Sequence, residues 1–113
     1  MSSNMEEHVI RRSGERDLRF VGKLIAEAIS SANNARSDYS GSTGRWTELR
    51  LYRTAGEQYV CERIGRTRWQ GEHDRHTAVV CGSVVGVCEF FGSSWLAKQL
   101  YVDAGIDCVE DVD

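Results

Sequence analysis

The chain of 113 residues contains no proline, so no element boundary is set by a fixed φ or a missing amide. Its turns must be punctuated by glycine, serine and asparagine instead. No apolar run approaches the ~20 residues of a membrane-spanning helix. The opening MSSNMEEHVIRR lacks an apolar core, so no secretory signal is expected there. Two phosphate- and metal-binding signatures are also missing. The eleven glycines never assemble into G-x-x-x-x-G-K-[ST], and the four cysteines never form Cys-x2-Cys. No cofactor is expected from such a chain, and no enzyme motif fixes a catalytic residue.

What is present is a hydrophobic fraction of 41% with three tryptophans, four tyrosines and three phenylalanines, too rich for a disordered chain. The length suits one domain, which at this size buries about two-thirds of its unfolded surface. The net charge of −3 is unevenly distributed. Residues 1–27 are balanced, with five acids and five bases. Residues 45–76 hold seven arginines against five acids, and residues 103–113 hold five acids and no base. The middle is therefore an arginine-rich module and the end an acidic tail.

Periodicity predicts an α+β domain, with an antiparallel β-meander of three to four strands and two short C-terminal helices packed on one face. Residues 1–17 read as a flexible N-terminal segment, 18–105 as the folded domain and 106–113 as the tail. Residues 18–29 fit helix and strand about equally. Leu18, Val21, Ile25 and Ile29 make a helical stripe, while Leu18, Phe20, Leu24 and Ala26 alternate. Residues 30–44 read as a long polar loop, and 65–75 as a second polar loop around Trp69. Between them, WTELRLYRT, Ala55-Gly56 and QYVCERIG read as a hairpin. A two-residue turn at 55–56 places Leu51 opposite Val60 and Glu48 opposite Arg63. Trp46, Glu48, Arg50, Tyr52, Tyr59, Cys61 and Arg63 then share one face. His76–Cys81 forms a further strand. A helix capped by Ser83 and stopped by Gly92 follows, then a second from Ser94 to about Ala104, stopped by Gly105.

Four constellations could carry chemistry. Arginines beside rings on a sheet face suit base stacking and phosphate neutralisation, although the overall charge is acidic. Cys61, His73, His76 and Cys81 offer zinc-type ligands, without the spacing of a knuckle; buried free cysteine is the plainer reading. Four cysteines without a signal suggest thiols in a reducing, cytoplasmic setting. A cysteine–histidine nucleophile is supported by no motif. Trp69 with Arg66 and Arg68, then Arg50, Tyr52 and Tyr59, and finally Glu110, Asp111 and Asp113, are of the types and charges used to bind a partner protein.

Phe20-Val21-Gly22, Tyr52-Arg53-Thr54-Ala55-Gly56 and Glu110-Asp111-Val112-Asp113 together resemble the small bacterial EXLDI proteins. Val112 stands in place of the family's leucine, and the final isoleucine is absent. The resemblance implies a strand over 20–27 and carries no catalytic residues. In size, acidity and lack of motifs, the chain is also similar to phage and mobile-element proteins such as anti-CRISPR proteins, which act by binding a host complex. The expectation is a non-enzymatic protein-binding domain, with nucleic-acid binding through the Arg/aromatic face as the alternative.

Overall fold

The computed structural model describes residues 5–30, 45–67 and 71–108. Arg68, Trp69, Glu110, Asp111 and Asp113 lie outside them, as does nearly all of the expected 30–44 loop. The described chain is an α+β meander of β1 (Glu6–Ile10), β2 (Leu18–Ser30), β3 (Arg45–Thr54), β4 (Tyr59–Thr67) and β5 (Arg75–Cys81), followed by α1 (Val84–Phe91) and α2 (Trp95–Ala104). The strands lie in sequence order in one antiparallel sheet. Five strands replace the three to four expected. The added one is β1, inside the segment read as flexible, where Glu6–Ile10 pairs with Leu18–Gly22.

The ambiguous stretch is a strand of 13 residues, with a register shift between Leu24 and Ala26. That bulge explains why its pattern read both ways. Before it, Leu18, Phe20 and Leu24 share a face with Tyr52; after it, Ala26 and Ala28 face the same way as Leu51 and Leu49. An extra residue in one strand inverts the parity of everything beyond it. Close to the bulge, β2 and β3 approach so tightly that a Cβ on Gly22 would stand 2.5 Å from the Arg53 carbonyl oxygen.

The β3–β4 register differs by one residue from the expected one. The Thr54 carbonyl accepts from Glu57 N and Thr54 N donates to the Gln58 carbonyl, while Glu57 takes φ 65°. This is a three-residue loop with a left-handed third position, not a two-residue turn at 55–56. Leu51 therefore opposes Cys61, Tyr52 opposes Val60 and Arg50 opposes Glu62. Strand β4 also runs on to Thr67, through residues expected to be loop.

One sheet face is covered by the helices, α2 over β2 and β3 and α1 over β4 and β5. Its core holds Ala26, Ala28, Leu49, Leu51, Cys61, Val87, Phe91, Leu96, Ala97, Leu100 and Tyr101. The expected helix boundaries hold closely. The Ser94 hydroxyl accepts from Ala97 N, and Gly105 ends α2 in the left-handed region at φ 71°. Ser83 precedes α1 but makes no side-chain capping bond. A disulfide joins Cys88 of α1 to Cys108, with Cα atoms 5.8 Å apart. The expectation of four thiols is thus corrected, and with it the thiol argument for a reducing compartment.

The opposite face is concave. In a flat sheet β1 and β5 would stand about 19 Å apart. Here Ser13, just beyond β1, donates its backbone N–H to the His76 carbonyl and accepts from His76 N through Oγ, and Arg12 reaches the Ala78 carbonyl. The sheet has curled until the β1–β2 connection meets β5. Inside the bowl Ile10, Tyr52, Val60 and Ala78 form a second buried cluster with Leu18 and Phe20.

Candidate functional site: the charged half of the concave face

Period two along β3 and β4 places Trp46, Glu48, Arg50 and Tyr52 beside Val60, Glu62, Ile64 and Arg66 on the concave side. Residue 27, beyond the bulge, points the same way, and β5 adds His76. The bowl therefore has an aromatic half, where His8, Phe20 and Tyr52 stand with ring centroids 5.0–5.2 Å apart, and a charged half.

Arg50 organises that charged half. Its Nε donates to Glu27 at 2.7 Å and its Nη2 to Glu48 at 2.9 Å, and Nη1 lies 3.8 Å from Glu62. Arg66 holds Glu48 from the other side, with Nε 3.1 Å from Oε2, and donates to Asp74 at 3.0 Å. Asp74 also accepts from Thr67 N. The Trp46 indole N–H donates to Glu48 at 3.0 Å, so the ring expected to stack on a ligand is tied to a carboxylate. At the rim, Arg45 pairs with Glu72.

The two buried carboxyls behave oppositely. Burial works to raise the Glu48 pKa, but hydrogen bonds from Arg66 and Trp46 and the charges of Arg66 and Arg50 outweigh it, holding the group below the usual range. Glu62, at 4% exposure, is raised because burial prevails over the attraction of Arg50 and the hydrogen bond from Tyr52. The Tyr52 hydroxyl donates to Glu62 at 3.4 Å, and its own pKa is pushed up to about 12 by burial and the Glu62 charge. The His76 Nδ1 atom is buried without a hydrogen-bond partner among the described residues.

Of the residues singled out by sequence, Arg50, Tyr52 and Arg66 come together in the bowl. Tyr59 does not. The corrected register puts it on the helix-covered face, where the Arg53 guanidinium lies 4.5 Å from its ring centroid. The zinc-type set is likewise divided, because Cys61 and Cys81 lie against the helix-side core while His76 faces the bowl. Among the described residues no group of three or more His, Cys, Asp or Glu side chains could hold a metal ion. No helix among them is long and apolar enough to cross a membrane. Sequence reasoning placed Glu48 on the face of Arg50 but missed Glu27, Glu62 and Asp74 as its companions. Charge pairing alone did not reveal them, since the expected register also opposes unlike charges, Glu48 to Arg63, as the observed one opposes Arg50 to Glu62.

Chemically, four carboxylates here meet two guanidinium groups. Both arginines are engaged before any ligand arrives, and the surplus charge is negative. The chain matches no family model, no curated protein and no solved structure.

Proposed function

We propose that the protein is a non-enzymatic binding domain that recognises a partner protein, and that it does not bind nucleic acid through the Arg/aromatic face. The observation that carries this reading is the occupation of Arg50 and Arg66 by Glu27, Glu48, Glu62 and Asp74. A phosphate would have to displace a carboxylate that is already bonded and would meet the remaining negative charge. Tyr52, at 7% exposure, is too buried to stack on a base. Among the described residues, the three most exposed large apolar side chains, Val102, Val85 and Trp95, lie on the helices. On α2, Trp95 is 63% exposed and Val102 is 82% exposed. Seven residues apart, they fall on one stripe of the helix. An exposed tryptophan with an apolar neighbour is the composition of a protein-interface anchor. The likeness to anti-CRISPR proteins makes a bacterial defence complex the first partner class to test.

The experiment has two arms. Fluorescence anisotropy with labelled single-stranded RNA and DNA at low salt is expected to show no binding. Binding that weakens steeply with salt and disappears in Arg50→Ala would overturn the proposal. In the second arm, association with a candidate defence complex is measured for wild type and for the double variant Trp95→Ser, Val102→Ser, with unchanged circular dichroism as the folding control. The expected result is loss of association in the folded double variant. Retained affinity would remove α2 as the anchor.

A further inference from the structure

Cys61 and Cys81 come from neighbouring strands and point to the same side of the sheet. In the β4–β5 register Cys61 opposes Val79 and Cys81 opposes Tyr59, so the two cysteines are diagonal neighbours. Their sulfur atoms lie 3.9 Å apart. Both are free thiols, Cys61 fully buried and Cys81 partly exposed. Their core layer also contains the disulfide-bonded Cys88 and Cys108, so sulfur is already oxidised on this side of the sheet. Helix α1 sits directly on the pair: a Cβ on Gly86 would stand 3.1 Å from Cys81 Cβ and 3.2 Å from its sulfur.

We propose that Cys61 and Cys81 form an oxidisable dithiol, a modification site at which hydrogen peroxide converts the pair into a second intramolecular disulfide. Cys81 reacts first, because it is the sulfur that solvent reaches. Its thiolate attacks one peroxide oxygen, the O–O bond breaks, and hydroxide leaves and takes up the thiol proton as water. Cys81 is then a sulfenic acid. Cys61 attacks the Cys81 sulfur, the S–O bond breaks, and the departing hydroxide takes the Cys61 proton as a second water. Two thiols and one peroxide thus give one disulfide and two waters. Burial raises the Cys61 pKa, with Cys81 beside it adding to the shift, which together with its lack of solvent access assigns Cys61 the second step. Closing the sulfurs from 3.9 Å to the disulfide distance of about 2.05 Å draws β4 and β5 together locally, because diagonal neighbours across a strand pair stand about 7–8 Å apart, and it leaves the strand register unchanged. The bond would fasten β4 to β5 beneath α1, on the layer that Cys88–Cys108 already fastens to the chain beyond α2.

The test uses the full chain with its native disulfide intact. Samples taken before and after hydrogen peroxide treatment are quenched in acid, denatured, alkylated with maleimide and mapped by non-reducing proteolysis and mass spectrometry. The expected result is a fall from two alkylated cysteines to none, with a new cross-linked peptide pair containing Cys61 and Cys81. In Cys61→Ser the cross-link should be absent, and Cys81 should be trapped as sulfenic acid by a 1,3-dione. Because the wild-type map alone decides the matter, failure of the variant to fold does not rescue the proposal. It is overturned if both thiols remain alkylatable after treatment. It is equally overturned if Cys81 proceeds to sulfinic acid beside a free Cys61, or if the new bond joins two chains or involves Cys88 or Cys108.

Discussion

Both faces of the sheet hold buried side chains, but by different means and with different contents. The convex face is covered by α1 and α2 and is filled almost wholly with apolar side chains, Leu51 and Leu100 among them at 0% exposure. The concave face is covered only by the curl of the sheet and the β1–β2 connection, and half of it consists of ion pairs. Helices can be fitted closely over alkyl groups, whereas a bowl made of the sheet itself leaves room and some water access. Carboxylates and guanidinium groups are tolerated there because each supplies the other's partner. The convex face should therefore fail through lost volume, and the concave face through a charge left unmatched.

The largest effect is expected from Leu51→Ala in the dry layer. Removing that side chain should lower unfolding stability by about 3 kcal/mol through lost transfer energy and the cavity left behind, as measured by urea denaturation. Next comes Arg50→Met, which keeps the alkyl stem and removes the charge from beside Glu27, Glu48 and Glu62. Its cost should be about 2 kcal/mol at neutral pH, less than for a sealed pair because the Arg50 side chain is 24% exposed. If Arg50→Met proves as mild as a surface substitution, the distinction between the faces collapses. Ser94→Ala should cost about 1 kcal/mol by removing the α2 cap, whereas Ser83→Ala should change little, since Ser83 makes no side-chain capping bond.

The sharpest probe of the charged half is Glu62→Gln, whose modest effect is read as a pH dependence. The Glu48 pKa is lowered in the fold, so its contribution is present above the unfolded value near 4.5 and is lost as pH falls through the folded value. The Glu62 pKa is raised, so the sign reverses: the folded state holds the proton more tightly, and stability declines as pH rises from about 4.5 through the folded value. Relative to wild type, Glu62→Gln should therefore gain stability as pH rises from about 4.5 through the folded value. Urea midpoints across that range would show it, and a parallel pair of curves would refute the assignment.

Several of these features were legible in the sequence. Ser94, Gly92 and Gly105 mark helix boundaries through local chemistry that needs no tertiary information, and the alternation of residues 46–54 marks a strand. The hairpin register was not legible, because Ala55-Gly56 offers a two-residue turn while the chain places the left-handed residue at Glu57, a type that rarely adopts it. That single residue moved Tyr59 off the proposed face and brought Glu62 opposite Arg50. Strand β1 escaped for a different reason. EEHVI has little pattern of its own and becomes a strand by pairing with β2, with Ile10 buried only because the sheet curls. Likewise, the ion-pair bowl depends on the bulge and the curl, which are properties of the assembled sheet.

The bulge at Ile25 also bears on how this sequence tolerates change. Because β2 is apolar at even positions along most of its length, a uniform strand would send all of those side chains to one face. The irregularity divides them between two cores. Inserting a single residue just after it would preserve the composition and the strand propensity almost unchanged, yet with pairing continued regularly beyond that point it would turn Ala26 and Ala28 into the bowl and Glu27 beneath α2. Length at this point in β2 is under tighter constraint than residue identity.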